Sequence, residues 1–160
     1  MIYKKVESLI SLNNLNIISK DIDRPWGGFY VIDEKQSQEF ANIFFNNLDV
    51  SKLSLSGKLS PKILVIKPNK RLSWQYHHRR SEIWSVIRGN ILVSKSDDDI
   101  EKKLINLKVG EQIEIAKEER HRIIGTDKYA LVAEIWIHMD KDNPSDEEDI
   151  VRIKDDFDRK

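Results

Sequence analysis

Four residues, Gln75, His77, Glu82 and His121, have the types and spacing of a divalent-metal site built on β-strands. Side chains alternate between the two faces of a strand, so Gln75 and His77 should point to the same side. A turn would bring Glu82 back on the next strand, and His121 would arrive from a distant one. Imidazole nitrogens with carboxylate and amide oxygens suit zinc, iron, manganese, cobalt or nickel. The sequence therefore predicts one bound divalent ion, with zinc as the first choice.

The apolar segments around these residues are short, and turn residues separate them every 8–12 positions from Lys62 onward. This pattern is typical of an all-β sandwich or barrel, and we expect a double-sheet jelly roll. Residues 1–23 are expected to form a short N-terminal arm. One helix is predicted near 37–48, where Phe40, Phe44 and Leu48 recur at helical spacing. The predicted strands are 29–32, 63–66, 71–78, 83–87, 91–94, 103–107, 112–115, 121–124, 129–137 and 150–153.

Composition limits the class of protein. The 160 residues include 27 basic and 27 acidic side chains and no cysteine. The balanced charge argues against nucleic-acid binding, and no apolar run approaches the roughly 18 residues of a membrane span. Absence of cysteine is compatible with a reducing cytoplasm, which is the expected location. The length fits one domain over residues 1–160.

Two stretches of the chain keep the spacing of the cupin motifs, and the chain resembles the cupin superfamily through them. In that superfamily the motifs carry metal ligands on a double-stranded β-helix, so the resemblance implies the same fold here. The first stretch reads Asn69, five residues, Gln75-Tyr76-His77, four residues, Glu82, six residues, Gly89. The second reads Gly110, five residues, Ala116-Lys117-Glu118, two residues, His121, three residues, Gly125.

A closer resemblance is to the cupin part of type II mannose-6-phosphate isomerases, and it covers about residues 24–159. The Gln-His-Glu-His ligand set is that of phosphomannose isomerases. Arg79 and Ile83 replace histidines common in that family, and no glycine-rich nucleotide-binding segment precedes the cupin part, so guanylyltransferase activity is not expected. The matching segments are Arg24-Pro25-Trp26-Gly27, residues 70–79, Glu82-Ile83-Trp84, Arg88-Gly89, His121-Arg122 and residues 148–152.

The resemblance implies conversion between an aldose phosphate and a ketose phosphate, with mannose 6-phosphate and fructose 6-phosphate as the first pair to test. Such a reaction needs a Lewis acid, a proton-transfer group and a cation for the phosphate. Ser73, Arg80 and Arg71 fall on the predicted metal-facing side and are expected to contact the small-molecule substrate. Arg80 and Glu134 are the candidate catalytic residues, although Glu134 could instead only orient a neighbour.

Other interpretations stay open at this point. A non-catalytic cupin that binds a metal or a sugar and regulates a partner would keep the same ligands. A sugar-nucleotide epimerase-like cupin is a third candidate, but that chemistry does not need Gln75. The acidic run 140–149 is interpreted as a solvated connection because it lacks the ligand spacing of a calcium loop. We also expect a homodimer, since partner strands commonly cover exposed sheet edges.

Overall fold

The computed structural model describes residues 1–55 and 57–159, and within them it contains eleven β-strands and two α-helices. The helices are α1 (Ile2–Leu12) and α2 (Ser37–Phe44). The strands are β1 (Ile17–Arg24), β2 (Gly27–Ile32), β3 (Lys62–Ile66), β4 (Trp74–Tyr76), β5 (Arg80–Arg88), β6 (Asn90–Ser96), β7 (Ile105–Lys108), β8 (Gln112–Ile115), β9 (Arg120–Gly125), β10 (Ala130–His138) and β11 (Val151–Lys154).

The strands form two sheets that face each other, and every pairing between neighbouring strands is antiparallel. The larger sheet has the order β1-β2-β3-β10-β5-β8, and the smaller has the order β11-β4-β9-β6-β7. Neighbours in space are mostly distant in sequence, as β10 lies between β3 and β5. This two-sheet architecture confirms the predicted all-β jelly roll.

Strand β3 is buried along its whole length because the larger sheet is covered on both faces. Alternation sends Ile63 and Val65 outward, where they pack with residues of α1 and α2 such as Val6 and Phe40. Leu64 and Ile66 point inward and join the core between the two sheets. The larger sheet is therefore a rigid wall whose inner face can hold side chains in fixed positions.

The expectation for the N-terminal segment needs correction, and the one predicted helix is shorter than its predicted range. Residues 1–23 were expected to form an arm, but they contain the whole of α1 and most of β1. Val6 and Ile10 of α1 are fully buried against the sheet, which explains why the segment is ordered as a helix. The predicted helix at 37–48 does form as α2, but it ends at Phe44. In the part of the chain that the structure describes, no helix is both long and apolar enough to cross a bilayer.

Gly27 is the tightest point of the pairing between β2 and β3. Its φ is +145°, and a Cβ built there would lie 1.8 Å from the carbonyl oxygen of Val65. Gly110 also has a positive φ, of +88°, but a Cβ there would meet nothing within 4 Å. We expect Gly27→Ala to lower the free energy of unfolding by about 2–4 kcal/mol and Gly110→Ala by only about 1 kcal/mol. Urea denaturation of both variants measures the difference, and equal losses would contradict this account of Gly27.

Candidate metal centre

A cavity of about 90 Å³ lies between the two sheets, and residues from both sheets line it. Strands β11, β4 and β9 of the smaller sheet place Arg152, Gln75 and His121 side by side in register. Directly opposed residues of antiparallel strands point to the same face, so these three side chains form a row on one wall of the cavity. On the larger sheet, β5 and β10 contribute Glu82 and Glu134 to the facing wall.

Three donor groups converge at the wall of this cavity, and two of them, Glu82 and His121, line it. The Nε2 atoms of His77 and His121 are 3.2 Å apart. Oε1 of Glu82 lies 2.9 Å from Nε2 of His77 and 3.4 Å from Nε2 of His121. All three side chains are buried. The structure therefore brings together three of the four predicted ligands, which sequence separates by up to 44 positions.

The hydrogen bonds of the two imidazoles indicate what the cluster fits. Nδ1 of His77 lies 2.7 Å from the carbonyl oxygen of Asp149, and Nδ1 of His121 lies 2.8 Å from that of Glu119. A carbonyl oxygen only accepts, so each Nδ1 carries a proton, and in the corresponding neutral tautomer the lone pair lies on Nε2, which faces the cluster. Two lone pairs and a carboxylate oxygen pointing at one another suit a cation between them, and backbone-anchored imidazoles are typical of metal ligands.

Gln75 lies beside these donors, opposite His121 in the pairing of β4 with β9, and it lines the same cavity. The hydroxyl of Ser73 donates a short hydrogen bond to Oε1 of Gln75. Ser73 is buried. Because this bond fixes the amide, the structure places Ser73 where it orients Gln75.

Arg80 reaches the donor cluster from the start of β5. Its guanidinium donates to Oγ of Ser145 at 2.8 Å and to Nε2 of His77 at 3.2 Å, and it stacks 3.5 Å from the ring centroid of Trp136. Burial alone would raise the pKa of Glu82, but Arg80 and His77 hold that pKa well below its usual range. Glu82 is therefore an anion in the folded protein. Burial lowers the pKa of His77, which favours the neutral imidazole that a metal requires.

Glu134 occupies the neighbouring part of the cavity and accepts hydrogen bonds from two indoles, Trp84 Nε1 at 2.9 Å and Trp136 Nε1 at 2.8 Å. Burial raises the pKa of Glu134 well above its usual range, and the negative charge of Glu82 raises it further. Glu82 and Glu134 thus have opposite protonation preferences although they lie in one cavity. Such a separation of two carboxyl pKa values is typical of sites that transfer protons.

Lys62 is a cavity residue that the sequence analysis missed. It lies opposite Glu134 in the pairing of β3 with β10, and its Nζ is 3.1 Å from the ring centroid of Trp136 and 3.2 Å from Oε1 of Glu147. Burial lowers its pKa, against the opposing effect of Glu147. A signal was present in the sequence, since Lys62 shares the inward phase of β3 with Leu64 and Ile66.

Asp149, the last residue of the acidic run, is buried, so the interpretation of this run as a solvated connection is wrong there. Its side chain is buried and accepts from the backbone N–H groups of His78 and Arg79 at 2.9 and 3.0 Å. Its carbonyl oxygen is the group that anchors His77. Asp149 therefore fixes the turn after β4 and, through its backbone, the orientation of one predicted ligand.

Arg71 lies apart from the other predicted site residues. Its guanidinium forms two bonds with Asp156, from Nε at 2.6 Å and from Nη2 at 2.9 Å. Arg71 is not one of the described residues that line the cavity. Its contact with substrate stays a prediction, and its observed role is to bind the C-terminal segment.

His138 is buried at the end of β10, and its environment implies that the protein loses stability in acid. Its Nδ1 accepts from the backbone N–H of Ser145 at 2.9 Å, so Nε2 carries the proton and donates to Oγ of Ser60 at 3.1 Å. Burial, and then the positive charges of Lys58 and Arg80, lower the pKa of His138 from 6.5 to about 4. Between these two pKa values His138 is protonated in the unfolded chain but not in the folded protein, so the free energy of unfolding falls as the pH falls.

We expect the stability advantage of the wild type over His138→Gln to shrink by up to about 1.4 kcal/mol per pH unit between pH ~6 and ~4.5. Urea denaturation of chelator-treated protein at several pH values measures this difference. A constant difference across that range would contradict the assignment.

Several proteins from polysaccharide and sugar-nucleotide biosynthesis are similar in sequence to this chain at low identity. The chain is 27% identical over 139 residues to the alginate biosynthesis protein AlgA of Pseudomonas aeruginosa, covering 87% of this chain and 23% of that protein. It is 26% identical over 140 residues to the xanthan biosynthesis protein XanB of Xanthomonas campestris, covering 88% and 24%. It is also 27% identical over 96 residues to mannose-1-phosphate guanylyltransferase 2 of Escherichia coli O157:H7, covering 59% and 16%. The chain thus spans about a quarter or less of the length of these relatives.

Solved structures confirm the cupin fold. The capsular polysaccharide assembling protein CapF of Staphylococcus aureus superposes with a TM-score of 0.56 at 15% identity, covering 85% of this chain and 31% of that one. A variant of the oxalate decarboxylase OxdC of Bacillus subtilis superposes with a TM-score of 0.57 at 12% identity, covering 84% and 30%.

The sequence profile of one family, described as the mannose-6-phosphate isomerase C-terminal family, matches residues 45–155. That range contains all four predicted ligands, Arg80 and Glu134. Because it is well over half of the chain, the match agrees with the resemblance carried by the two motifs. The chain therefore belongs to the mannose-6-phosphate isomerase C-terminal family, on a cupin fold.

Proposed function

We propose that this protein is a metal-dependent aldose–ketose isomerase that acts on a phosphorylated sugar, with mannose 6-phosphate and fructose 6-phosphate as the first pair. The observation that carries the proposal is the convergence of donor atoms of His77, Glu82 and His121 within 4.8 Å of one another, with Glu82 and His121 lining the cavity. Membership of the family supports the class of substrate. The small-molecule substrate and the metal dependence are both part of the proposal.

The ligands in this proposal are His77, Glu82 and His121, with the amide oxygen of Gln75 as the fourth, and zinc is the first ion to test. Iron, manganese, cobalt and nickel suit the same donors. A bound divalent ion would polarise the carbonyl and hydroxyl oxygens at C1 and C2 of the sugar. Since Gln75 is neutral, Glu82 is the only anionic ligand and leaves about one positive charge in the centre uncompensated.

Arg80 and Glu134 are the proposed catalytic residues. Arg80 is adjacent to the donor cluster, 3.7 Å from Oε1 of Glu82, so its positive charge can stabilise negative charge that develops on the substrate oxygens. Glu134 is the proposed proton-transfer group between C1 and C2. Its raised pKa suits this task because a general acid–base group works best when its pKa is near the working pH.

A non-catalytic regulatory cupin is the second candidate function. It is favoured by the two indole N–H groups of Trp84 and Trp136, which already occupy both oxygens of Glu134. A carboxyl group held in this way could be a structural anchor for the two indoles. The protein would then bind a metal or a sugar phosphate without turnover.

A coupled assay separates the two candidates. Purified protein is treated with chelator, loaded with one divalent ion at a time and tested against a panel of hexose and heptose phosphates. The isomerase account expects turnover of at least one phosphate, loss of turnover on chelation and recovery on reloading. Binding without turnover across the panel would favour the regulatory cupin.

The proposal also covers the oligomeric state of the protein, its division into domains and its location in the cell. We infer a homodimer, because β1 is an edge strand of the larger sheet and carries Ile18 with 62% of its surface exposed. Residues 1–160 are proposed to be a single cupin domain, and the cysteine-free sequence suits the cytoplasm. Light scattering at tens of micromolar should give twice the monomer mass of 18.8 kDa, and the monomer mass itself would contradict the dimer.

A further inference from the structure

We infer that three arginines at the open end of the cavity, Arg24, Arg152 and Arg159, form a subsite for a phosphate monoester dianion. These three residues are called the mouth arginines below. All three line the same cavity as Gln75, Glu82 and His121. The inference rests on the proposed function, because it assigns the phosphate group of the proposed substrate to a place in the cavity.

The position of Arg152 follows from strand register. Arg152 is paired with Gln75, and Gln75 is paired with His121, so the three lie in one row across β11, β4 and β9. Adjacent strands are about 4.8 Å apart, so the backbones of His121 and Arg152 are separated by roughly 10 Å. The row therefore leads from the metal donors to a guanidinium over a distance comparable with the length of one phosphorylated sugar.

The charge of the cavity favours an anion. Among the described residues that line it, six carry cationic side chains and three carry carboxyl groups. The mouth arginines account for half of the cationic side chains. They are half-buried, whereas Glu82, Glu134 and His121 are buried, which places the mouth arginines at the outer end.

Carboxylates behind the mouth arginines hold two of the guanidiniums in place. Nε of Arg24 lies 2.9 Å from Oδ2 of Asp21, and Arg159 binds both oxygens of Asp155 at 2.8 and 3.0 Å. Neither aspartate lines the cavity. Burial lowers the pKa of Arg152, and the charges of Arg159 and Arg24 lower it further, so the guanidiniums are close enough to repel one another. A bound dianion would relieve that repulsion, and the planar guanidinium matches the geometry of phosphate oxygens.

Arg80 is less suited to this role because its side chain is buried and its Nε lies 3.7 Å from Oε1 of Glu82 in the donor cluster. It also contacts the donor cluster through Nε2 of His77. The phosphate and the reacting carbons therefore have separate partners in the cavity. The mouth arginines bind the phosphate, and Arg80 stays beside C1 and C2.

Titration of the metal-free full chain with inorganic phosphate, followed by calorimetry or by amide NMR shifts, tests the subsite. Arg152→Gln and Arg24→Gln should each raise the Kd for phosphate roughly 10-fold or more, the range expected for a lost charge-assisted hydrogen bond. Arg88→Gln is the matched control, since Arg88 is exposed at the far end of β5 and should leave the Kd unchanged. Arg24 lies at a strand end, so its variant keeps the test valid if Arg152→Gln does not fold.

Equal Kd values in wild type and both variants would overturn the subsite, and so would phosphate binding that appears only after metal loading. The outcome is separable from the proposed function, because metal-free protein cannot turn over substrate. Phosphate binding that depends on the mouth arginines, in a protein that isomerises no sugar phosphate, would keep the subsite and reject the isomerase. Isomerisation by a protein whose phosphate binding does not depend on the mouth arginines would keep the isomerase and reject the subsite.

Discussion

His121→Ala is expected to lose its divalent ion and with it all measurable isomerisation. Nε2 of His121 lies 3.2 Å from Nε2 of His77 and 3.4 Å from Oε1 of Glu82. Removing a partner that merely supports a ligand typically costs 10- to 100-fold in metal affinity or activity, so removing a ligand should cost more than about 100-fold in each. Elemental analysis of tag-free protein measures the metal, and the coupled assay measures the turnover.

His78→Ala is the matched control for this experiment. His78 is adjacent to His77 in sequence, but its ring is exposed, 3.4 Å from Glu118, and lies outside the cavity. The control should keep both metal and turnover. Equal metal content in His121→Ala and His78→Ala would contradict the ligand assignment, provided that both variants unfold cooperatively at similar urea concentrations.

Arg80→Ala is expected to lower kcat/KM roughly 10- to 150-fold while much of the bound metal is retained. The range corresponds to about 1.5–3 kcal/mol for a hydrogen bond to a charged group. Arg80 also contacts Ser145 and Asp146, in the segment that carries Asp149 and hence the anchor of His77. The loss should therefore include some misplacement of His77 in addition to the lost positive charge.

Arg80→Lys and Arg88→Ala help to interpret the loss. Lysine restores a positive charge but lacks the rigid, planar set of N–H donors of the guanidinium, so we expect partial recovery. Arg88 is the exposed arginine at the other end of β5 and should tolerate alanine without effect on kcat/KM. An Arg80→Ala enzyme with wild-type kinetics would remove Arg80 from the catalytic residues.

The sequence predicted the strands from β2 onward because each has alternating or continuous apolar residues bounded by turn residues. It missed α1, although Val6 and Ile10 have helical spacing, because serine and asparagine residues interrupt the apolar pattern of this segment. It also missed β1, whose residues are mostly exposed or half-buried and which is held chiefly by pairing with β2. A strand without a buried face has little hydrophobic signal for sequence analysis to detect.

The candidate ligands could be predicted because local periodicity and motif spacing involve neighbours in sequence. The row from His121 through Gln75 to Arg152 could not, because it depends on pairing between β4 and β11, which are more than 70 residues apart. The predicted strand at 71–78 is also longer than β4. Asp149 binds the N–H groups of His78 and Arg79 and ends the strand there, a contact that only the folded chain creates.

Proton exchange with solvent tests the central claim most directly. Metal-loaded protein is incubated with mannose 6-phosphate in D2O, and the sugar is followed by proton NMR. The account predicts that fructose 6-phosphate accumulates and that deuterium enters the carbon that receives the transferred proton, with both processes absent after chelation and absent in His121→Ala. Metal-loaded protein that binds the sugar phosphate but neither converts it nor exchanges its C2 proton with solvent would contradict the account.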